Sequence, residues 1–298
     1  MPYSTTSRPA RSGCKAEVAN AKPSSLSNQL TVKFWGVRGS IPTPGELTAR
    51  YGGNTACVEV LAADQRLIFD GGTGLRVLGD HFHSSAQPID AHLFFTHTQW
   101  DRIQGFPFFV PAFIPGNCFK IYGAVAPNGA SIKQRLSEQM LRPNFPIPLQ
   151  AMRAELEFFN LSAGSAIQVG DVLVETIGLN PAANALGYRV SHQGRSLVYA
   201  TDTEHQTVDP NLLYLARQAD ILIYDGTYAD LDYPGISPTG ILPWETGLKL
   251  AKRAGVKQLV LFHHSPTQTD SALDELENTL KLRFPNISLA KEGVSVVL

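Results

Sequence analysis

Thr96-His-Thr-Gln-Trp-Asp-Arg-Ile-Gln-Gly105 is the most informative segment of the chain, and it follows an apolar run typical of a buried β-strand, His92–Thr96. Its loop carries an imidazole and a carboxylate, His97 and Asp101. A lone polar group at a strand end usually does no more than cap its own strand. Because the pattern recurs and strand-end loops are held by a rigid scaffold, we predict that such groups converge on one cleft. Three further polar residues directly follow β-rich apolar runs: Asp70, Asp202 and His263.

Short β-rich runs alternate with segments of helical spacing, and the strands outnumber the helices. This pattern predicts an α+β, layered α/β arrangement in which two sheets pack face to face and helices cover their outer faces. Asp209 and Asp270 are predicted to cap the second and fourth helices. The predicted strands are Thr31–Trp35, Cys57–Leu61, Arg66–Asp70, His92–Thr96, Phe119–Gly123, Glu155–Phe159, Val172–Ile177, Leu186–Val190, Ser196–Thr201, Ile221–Tyr224, Gln258–Phe262 and Val294–Leu298, and the predicted helices are Ser131–Met140, Asn211–Gln218, Trp244–Ala254 and Ser271–Leu282.

Composition narrows the functional classes. The 298 residues include 25 Lys plus Arg and 26 Asp plus Glu. The chain therefore has no net positive charge that would attract long nucleic acid or an anionic membrane. No apolar run reaches the roughly 18 residues of a membrane span. The three cysteines lie far apart and form no CxxC pair, which argues against a disulfide framework and indicates a reducing, cytoplasmic location.

The N-terminal segment differs from the rest of the chain. Residues 1–30 are rich in Ser, Thr, Ala, Pro, Lys and Arg and hold few large apolar side chains, so burial cannot offset the entropy of ordering them. We therefore predict a disordered tail over residues 1–30 and a single folded domain over residues 31–298.

Seven blocks of the sequence resemble the metallo-β-lactamase fold superfamily, closest to its bacterial phosphodiesterase-like and ribonuclease Z-like branch. The resemblance covers about residues 31–298 and implies a four-layer αβ/βα sandwich. It also implies two divalent metals, usually zinc, at the sheet edge of active members. The blocks are Phe34-Trp-Gly-Val-Arg-Gly-Ser-Ile-Pro-Thr-Pro-Gly45, Tyr51-Gly-Gly-Asn-Thr55, Phe69-Asp-Gly-Gly-Thr-Gly74, Thr96–Gly105, Leu186-Gly-Tyr-Arg189, Ala200-Thr-Asp-Thr-Glu204 and Leu261-Phe-His-His-Ser-Pro266.

The metal ligands implied by this resemblance are incomplete. The family's His-x-His-x-Asp-His signature reads His97-Thr-Gln-Trp-Asp-Arg102 here, so His97 and Asp101 match while Gln99 and Arg102 replace histidines. Asp202 matches the aspartate that bridges both metals, and His263 matches the last histidine. Asp70 and His264 are expected to orient this cluster rather than belong to it. Two more family histidines are replaced, by Pro181 and Ile241.

These losses decide what the site can bind. One metal site keeps only His97 and the shared Asp202, fewer than the three or four protein ligands that zinc normally takes. The other keeps Asp101, Asp202 and His263, enough for one zinc or manganese ion, but the permanent charge of Arg102 opposes a metal there. We therefore predict no bound metal, with Arg102 bridging the aspartates instead.

Three functions remain open at this stage. The first is a catalytically inactive pseudo-hydrolase that binds an unidentified partner protein or small ligand, as a homodimer by analogy with the family. The alternative is a single-metal hydrolase of phosphodiester bonds, acting on cyclic nucleotides or RNA ends. A third, metal-free enzyme using His263 or His264 as a general base ranks last, because the sequence identifies no nucleophile.

The glycine-rich block Phe69–Gly74 has two interpretations. Its backbone amides could cradle a phosphate, or its glycines could serve a tight structural turn. We favour the structural role.

Overall fold

Two seven-stranded sheets form the centre of the protein in its computed structural model, which describes residues 29–83, 88–180, 184–203, 207–226 and 243–298. The first sheet is ordered β14-β1-β2-β3-β4-β5-β6, and its strands from β3 to β6 run parallel. Its strands are β1 (Leu30–Gly36), β2 (Cys57–Ala62), β3 (Gln65–Phe69), β4 (Asp90–Phe94), β5 (Cys118–Ala124), β6 (Glu155–Leu161) and β14 (Ser295–Val297).

The second sheet mirrors the first. Its order is β13-β12-β11-β10-β9-β8-β7, with parallel pairing from β10 to β13 and antiparallel pairing among the rest. Its strands are β7 (Ala166–Val169), β8 (Val172–Gly178), β9 (Leu186–His192), β10 (Arg195–Ala200), β11 (Ile221–Asp225), β12 (Gln258–Phe262) and β13 (Ile287–Leu289).

Helices cover the outer face of each sheet. Leu75 and Leu78 of α1 and Leu136 of α3 pack in one apolar cluster with the first sheet, and α4, α5 and α6 pack in another with the second sheet. A third apolar cluster lies between the sheets, so the layers run helix, sheet, sheet, helix, which confirms the predicted fold class. The helices are α1 (Thr73–His83), α2 (Trp100–Ile103), α3 (Ile132–Glu138), α4 (Pro210–Leu215), α5 (Pro243–Ala254) and α6 (Asp270–Lys281), with short 3-10 turns at Glu46–Thr48, Phe106–Phe108, Val110–Phe113 and Leu149–Ala151.

A column of stacked aromatic rings runs from the core between the sheets to the edge strand β6. The rings of Phe69 and Phe94 are 5.4 Å apart, those of Phe94 and Tyr122 are 4.5 Å apart, and those of Tyr122 and Phe159 are 5.0 Å apart. Each pair lies within 19° of parallel. Such rings bury large apolar areas, so this column holds β3, β4, β5 and β6 in a fixed relation.

One of the two predicted helix N-caps is confirmed and the other is wrong. The side chain of Asp209 accepts hydrogen bonds from the amides of Asn211 and Leu212, as predicted. Thr269, not Asp270, caps α6, so that prediction is wrong. Asp270 instead accepts hydrogen bonds from the backbone amides of Arg50 and Tyr51, because the acid faces a neighbouring loop.

Other features differ from the sequence predictions. β1 includes Leu30, the last residue of the predicted tail, and residues 1–28 of that tail lie outside the described residues. Cys57 is a free, buried thiol, whereas Cys118 is disulfide-bonded, so the structure does not support the fully reduced state expected from the cysteine pattern. In the described part of the chain, no helix has the length and apolar character needed to cross a bilayer.

Candidate functional site

Strand ends from both sheets carry the predicted residues to one place. Asp70 follows β3, His97 lies just beyond β4, Asp202 lies just beyond β10 and His263 follows β12. Asp70, Asp202 and His263 have φ angles of 60°, 60° and 64°. Such left-handed conformations are costly for residues other than glycine and cluster at functional sites, where the surrounding structure holds them.

Arg102 occupies the centre of the cluster and is fully buried. Its Nη1 lies 3.0 Å from Asp70 Oδ2, its Nε lies 3.4 Å from Asp101 Oδ2, and its Nη2 lies 3.9 Å from Asp225 Oδ2. Burial alone would lower the pKa of Arg102, but Tyr199 and the three surrounding carboxylates raise it well above its ordinary value. The guanidinium therefore stays charged and acts as the cation of the cluster.

Asp70 organises the first-sheet side of the cluster. Its carboxylate accepts hydrogen bonds from the Thr96 amide at 2.8 Å, the Thr96 hydroxyl at 2.9 Å, the Tyr199 hydroxyl at 2.8 Å and Arg102 Nη1 at 3.0 Å. Thr96 Oγ1 also lies 3.0 Å from His97 Nδ1. Because the single hydroxyl proton goes to Asp70, this oxygen accepts a hydrogen bond from Nδ1–H of His97.

His263 is held by acids on both of its ring nitrogens. Its Nε2 lies 2.8 Å from Asp101 Oδ2 and its Nδ1 lies 3.6 Å from Asp225 Oδ1. Burial would raise the pKa of Asp101, but the hydrogen bond with His263 and the charge of Arg102 lower it well below its ordinary 3.8. Asp101 is therefore ionised throughout the physiological range.

His97 and Asp202 face each other without a hydrogen bond. His97 Nε2 and Asp202 Oδ2 are 3.7 Å apart, and neither atom has a hydrogen-bond partner among the described residues. The His97 side chain is 2% exposed and that of Asp202 is 25% exposed. Because buried polar atoms are usually paired, this contact is the unsatisfied part of the cluster.

A small cavity opens beside His97. It has a volume of about 220 Å³, and Gln99 is the exposed residue among those of its polar wall that precede α2. One wall is apolar, Ala124–Pro127. The polar wall consists of Thr98, Gln99, Arg135 and Asn184.

The structure gathers most of the predicted residues and separates others. His97, Asp101, Asp202, His263, Asp70 and Arg102 form the cluster described above. Gln99 lies exposed at the start of α2, and His264 donates from Nε2 to the Ala290 carbonyl at 2.7 Å, where its ring packs edge-on against Tyr51. Pro181 and Ile241 lie outside the described residues.

Sequence reasoning missed Asp225 and Tyr199. Asp225 ends the apolar run Ile221–Asp225 and precedes Gly226, so it repeats the signal that identified Asp70 before Gly71. Its Oδ2 accepts a hydrogen bond from the Asp202 amide. Tyr199 sits in the middle of β10, where nothing in the sequence separates it from a core residue.

The glycine loop after β3 is structural. The amide of Gly71 donates to the Arg102 carbonyl at 2.6 Å, that of Gly72 to Ala56 at 2.9 Å, and that of Gly74 to Thr55 at 3.2 Å. Because chain carbonyls already take these protons, the loop offers no phosphate cradle.

The donor set does not fit the two-metal centre that the family implies. The guanidinium of Arg102 stands among the carboxylates that would neutralise metal charge, and the side chain at position 99 lies at the surface. Over the described ranges, no group of three or more His, Cys, Asp or Glu residues is arranged to hold a metal ion.

Comparison with known proteins agrees with this fold. The sequence matches the family described as the Beta-lactamase superfamily domain over residues 65–264. It is 32% identical to the ribonuclease Z of Prochlorococcus marinus (strain NATL1A) over 108 residues, which cover 35% of this chain and 33% of that protein. It is 24% identical to the ribonuclease Z of Thermoplasma volcanium over 285 residues, covering 82% of this chain and 90% of that protein.

A solved structure shows the same fold. The metallo-β-lactamase fold protein YhfI from Bacillus subtilis superposes with a TM-score of 0.64 at 18% sequence identity, covering 91% of this chain and all of that one. Sheet order, strand-end residues and sequence match define a metallo-β-lactamase fold protein. The chain belongs to the β-lactamase superfamily, in its ribonuclease Z-like branch.

Proposed function

We propose that this chain is a catalytically inactive pseudo-hydrolase, in which the former metal site binds a small ligand or partner protein without a metal. The observation that carries the proposal is the buried guanidinium of Arg102, which lies 3.0–3.9 Å from three carboxylates. Two or more buried aspartates without a cation would be costly, so an arginine is a physical substitute for the lost metal.

The charge of Arg102 opposes a divalent ion at the same place. At about 5 Å and an effective dielectric near 20, a unit positive charge repels a dication by roughly 6–7 kcal/mol. Zinc binding to a complete structural site is worth about 10–16 kcal/mol. Losing ligands and adding this repulsion therefore removes most of the affinity.

A single-metal phosphodiester hydrolase is the second candidate. Its support is the pair of facing, unsatisfied polar atoms His97 Nε2 and Asp202 Oδ2, together with the ribonuclease Z relatives. The ligand set expected for it, Asp101, Asp202 and His263, is not arranged for one ion here, because His263 bonds directly to Asp101 while Asp202 faces His97.

Metal content and turnover separate the two candidates. We expect the purified chain to hold no stoichiometric zinc, manganese or iron by elemental analysis. We also expect no hydrolysis of bis-para-nitrophenyl phosphate with added zinc or manganese. About one tightly held metal per chain, with turnover abolished by Asp202→Ala, would instead establish the hydrolase.

Restoring the family's histidines tests the role of the guanidinium. The triple variant Gln99→His, Arg102→His, Pro181→His is expected to gain bound zinc. The matched double variant Gln99→His, Pro181→His keeps Arg102 and is expected to remain free of metal. Equal zinc uptake by both variants would show that Arg102 does not exclude the ion.

We further propose a cytoplasmic protein that forms a homodimer and does not bind long nucleic acid. The near-zero net charge supports the last point. Light scattering after size exclusion tests the dimer, and a filter-binding assay with transfer RNA tests the nucleic acid.

A further inference from the structure

The two sheets end in four edge strands of very different length. In the described part of the chain, β13 and β14 have three residues each and β7 has four, whereas β6 has seven. Proteins commonly keep edge strands short, because the unpaired main chain of a long edge can pair with another strand. We infer that β6 pairs antiparallel with β6 of a second copy of this chain, across a twofold axis. The inference rests on the homodimer proposed above and names its interface.

The main chain of β6 alternates between β5 and the free edge of the sheet. The Glu155 amide donates to the Asn117 carbonyl at 2.9 Å, so Glu155 and every second residue after it face β5. The amides and carbonyls of Leu156, Phe158 and Asn160 therefore point away from the sheet. Because β5 is the only described strand that pairs with β6, these groups can pair with a further strand.

The charges of β6 favour a twofold pairing centred on Phe158. This register pairs all seven residues of both strands, and it is the only antiparallel register that does so. Glu155 then lies opposite Leu161 of the second copy, and Glu157 lies opposite Phe159. Each carboxylate therefore faces a neutral side chain. A register centred on Leu156 would instead place Glu155 opposite Glu157, and like charges directly opposite destabilise a sheet.

The pairing also covers apolar side chains at the edge. Phe159 is 39% exposed although its ring stacks on that of Tyr122, and Leu156 and Phe158 are only partly buried against the apolar cluster on the outer face of the sheet. A single pair of strands buries less than a standard interface of about 1,600 Å². We therefore expect a dimer with a dissociation constant in the micromolar range.

Amide exchange in the unmodified full-length chain tests which strand covers the edge. As dilution converts dimer to monomer in light scattering, we expect the amides of Leu156, Phe158 and Asn160 to exchange about 10-fold faster with deuterium. Protection of these amides that does not depend on protein concentration would overturn the inference, because a segment of the same chain would then cover β6. A monomer at every concentration would overturn the homodimer and the inference together.

Phe158→Lys tests the position of the twofold axis. Position 158 faces its own copy across that axis, so the substitution removes an aromatic pair and sets two ammonium groups opposite each other. We expect the dissociation constant of the dimer to rise at least about 10-fold. The matched control Val297→Lys adds the same charge to β14, at the other edge of this sheet, where Val297 is 57% exposed, and is expected to dimerise as the wild type does. Thermal unfolding checks that both variants fold.

A disulfide across the axis gives a readout that does not depend on weakening the dimer. Residues that exchange main-chain hydrogen bonds across an antiparallel pair have Cα atoms about 5.5 Å apart, which a disulfide can span. Phe158→Cys is therefore expected to form a covalent dimer with oxidised glutathione. Leu156→Cys is not, because its two copies would lie more than about 10 Å apart. The unmodified chain gives the background from its own cysteines.

The two variants also separate this interface from the homodimer itself. A dimer that persists in Phe158→Lys, without a covalent dimer of Phe158→Cys, would overturn β6 as the interface and leave the homodimer standing. Equal cross-linking of Phe158→Cys and Leu156→Cys would overturn the register.

Discussion

Arg102 is the residue on which the electrostatics of the cluster depend most. Replacing it with methionine keeps much of the volume and removes the charge. We expect the free energy of unfolding to fall by about 3–5 kcal/mol at pH 7, because Asp70 and Asp101 lose their buried partner. Denaturant unfolding measures the change.

An exposed ion pair supplies the control for that substitution. Arg76 and Asp80 are 2.6 Å apart, and their side chains are 52% and 55% exposed. Arg76→Met is expected to change stability by less than about 0.5 kcal/mol, as surface pairs usually do. If both variants unfold alike, the buried carboxylates do not depend on Arg102.

His264 gives the molecule a pH dependence at acid pH. Burial lowers the pKa of His264 from 6.5 to about 3. The unfolded chain therefore takes up this proton below pH 6.5 while the folded chain does not. The free energy of unfolding therefore carries no penalty from His264 above pH 6.5. As the pH falls below 6.5, it decreases by up to about 1.4 kcal/mol per pH unit.

Substituting His264 should make the free energy of unfolding depend less steeply on pH. We expect His264→Gln to be less stable than the wild type at pH 7.5 but to lose less stability between pH 7.5 and 4.5 in urea unfolding. His81→Gln changes an exposed imidazole and is expected to keep the wild-type slope. A slope in His264→Gln as steep as in the wild type would contradict the assignment.

At the scale of elements, the glycine loop after β3 fixes the position of α2. The Gly105 amide donates to the Gly71 carbonyl at 2.9 Å, and a Cβ at Gly105 would lie 1.9 Å from the Gly72 carbonyl oxygen. Gly105→Ala must therefore displace the segment that carries Asp101 and Arg102. We expect a loss of about 1–3 kcal/mol in urea unfolding, the usual cost of overpacking.

A second glycine shows what an open position tolerates. A Cβ at Gly178 would meet only the Ala163 Cβ, at 3.6 Å, which is ordinary contact. Gly178→Ala is expected to be as stable as the wild type or slightly more stable. Equal losses in the two variants would mean that close approach at Gly105 is not the cause.

The elements differ in how far the sequence could predict them. Long apolar runs such as Gln258–Phe262 were predicted at their observed limits, because burial on both faces leaves a continuous signal. The helix α1 was missed, since Gly74 and Gly79 lower its intrinsic propensity. It is held by packing, and a Cβ at Gly79 would lie 3.1 Å from the Phe109 ring.

The residues of the site also differ in how far the sequence could predict them. The signature spacing placed Asp101 beside Arg102, and the strand-end pattern placed Asp70 with them. The role of Tyr199 could not be predicted from the sequence, because it depends on how the second sheet packs against the first. That docking is a tertiary property with no local trace in the sequence.

At the scale of the whole molecule, hydrogen bonds between the sheets hold the site together. The Tyr199 hydroxyl of β10 donates to Asp70 at 2.8 Å, and the Tyr188 hydroxyl of β9 donates to the Phe95 carbonyl at 2.6 Å. Tyr199→Phe removes one such bond and leaves Asp70 short of a donor. We expect a loss of about 1–3 kcal/mol by thermal or urea unfolding.

The same substitution on the surface serves as its control. Tyr214 is 76% exposed, and Tyr214→Phe is expected to leave stability within about 0.5 kcal/mol of the wild type. If Tyr199→Phe behaves like Tyr214→Phe, the sheets do not rely on this contact.

The left-handed backbone at Asp70, Asp202 and His263 also limits how the site can be redesigned. Valine, isoleucine and threonine are poorly tolerated in that conformation, whereas asparagine and glycine are accepted. In a library that randomises these three codons, many variants would therefore fold poorly because of the main-chain conformation, whatever their affinity for a ligand. New specificity is better introduced at Thr98 and Gln99, where the main chain does not adopt the left-handed conformation.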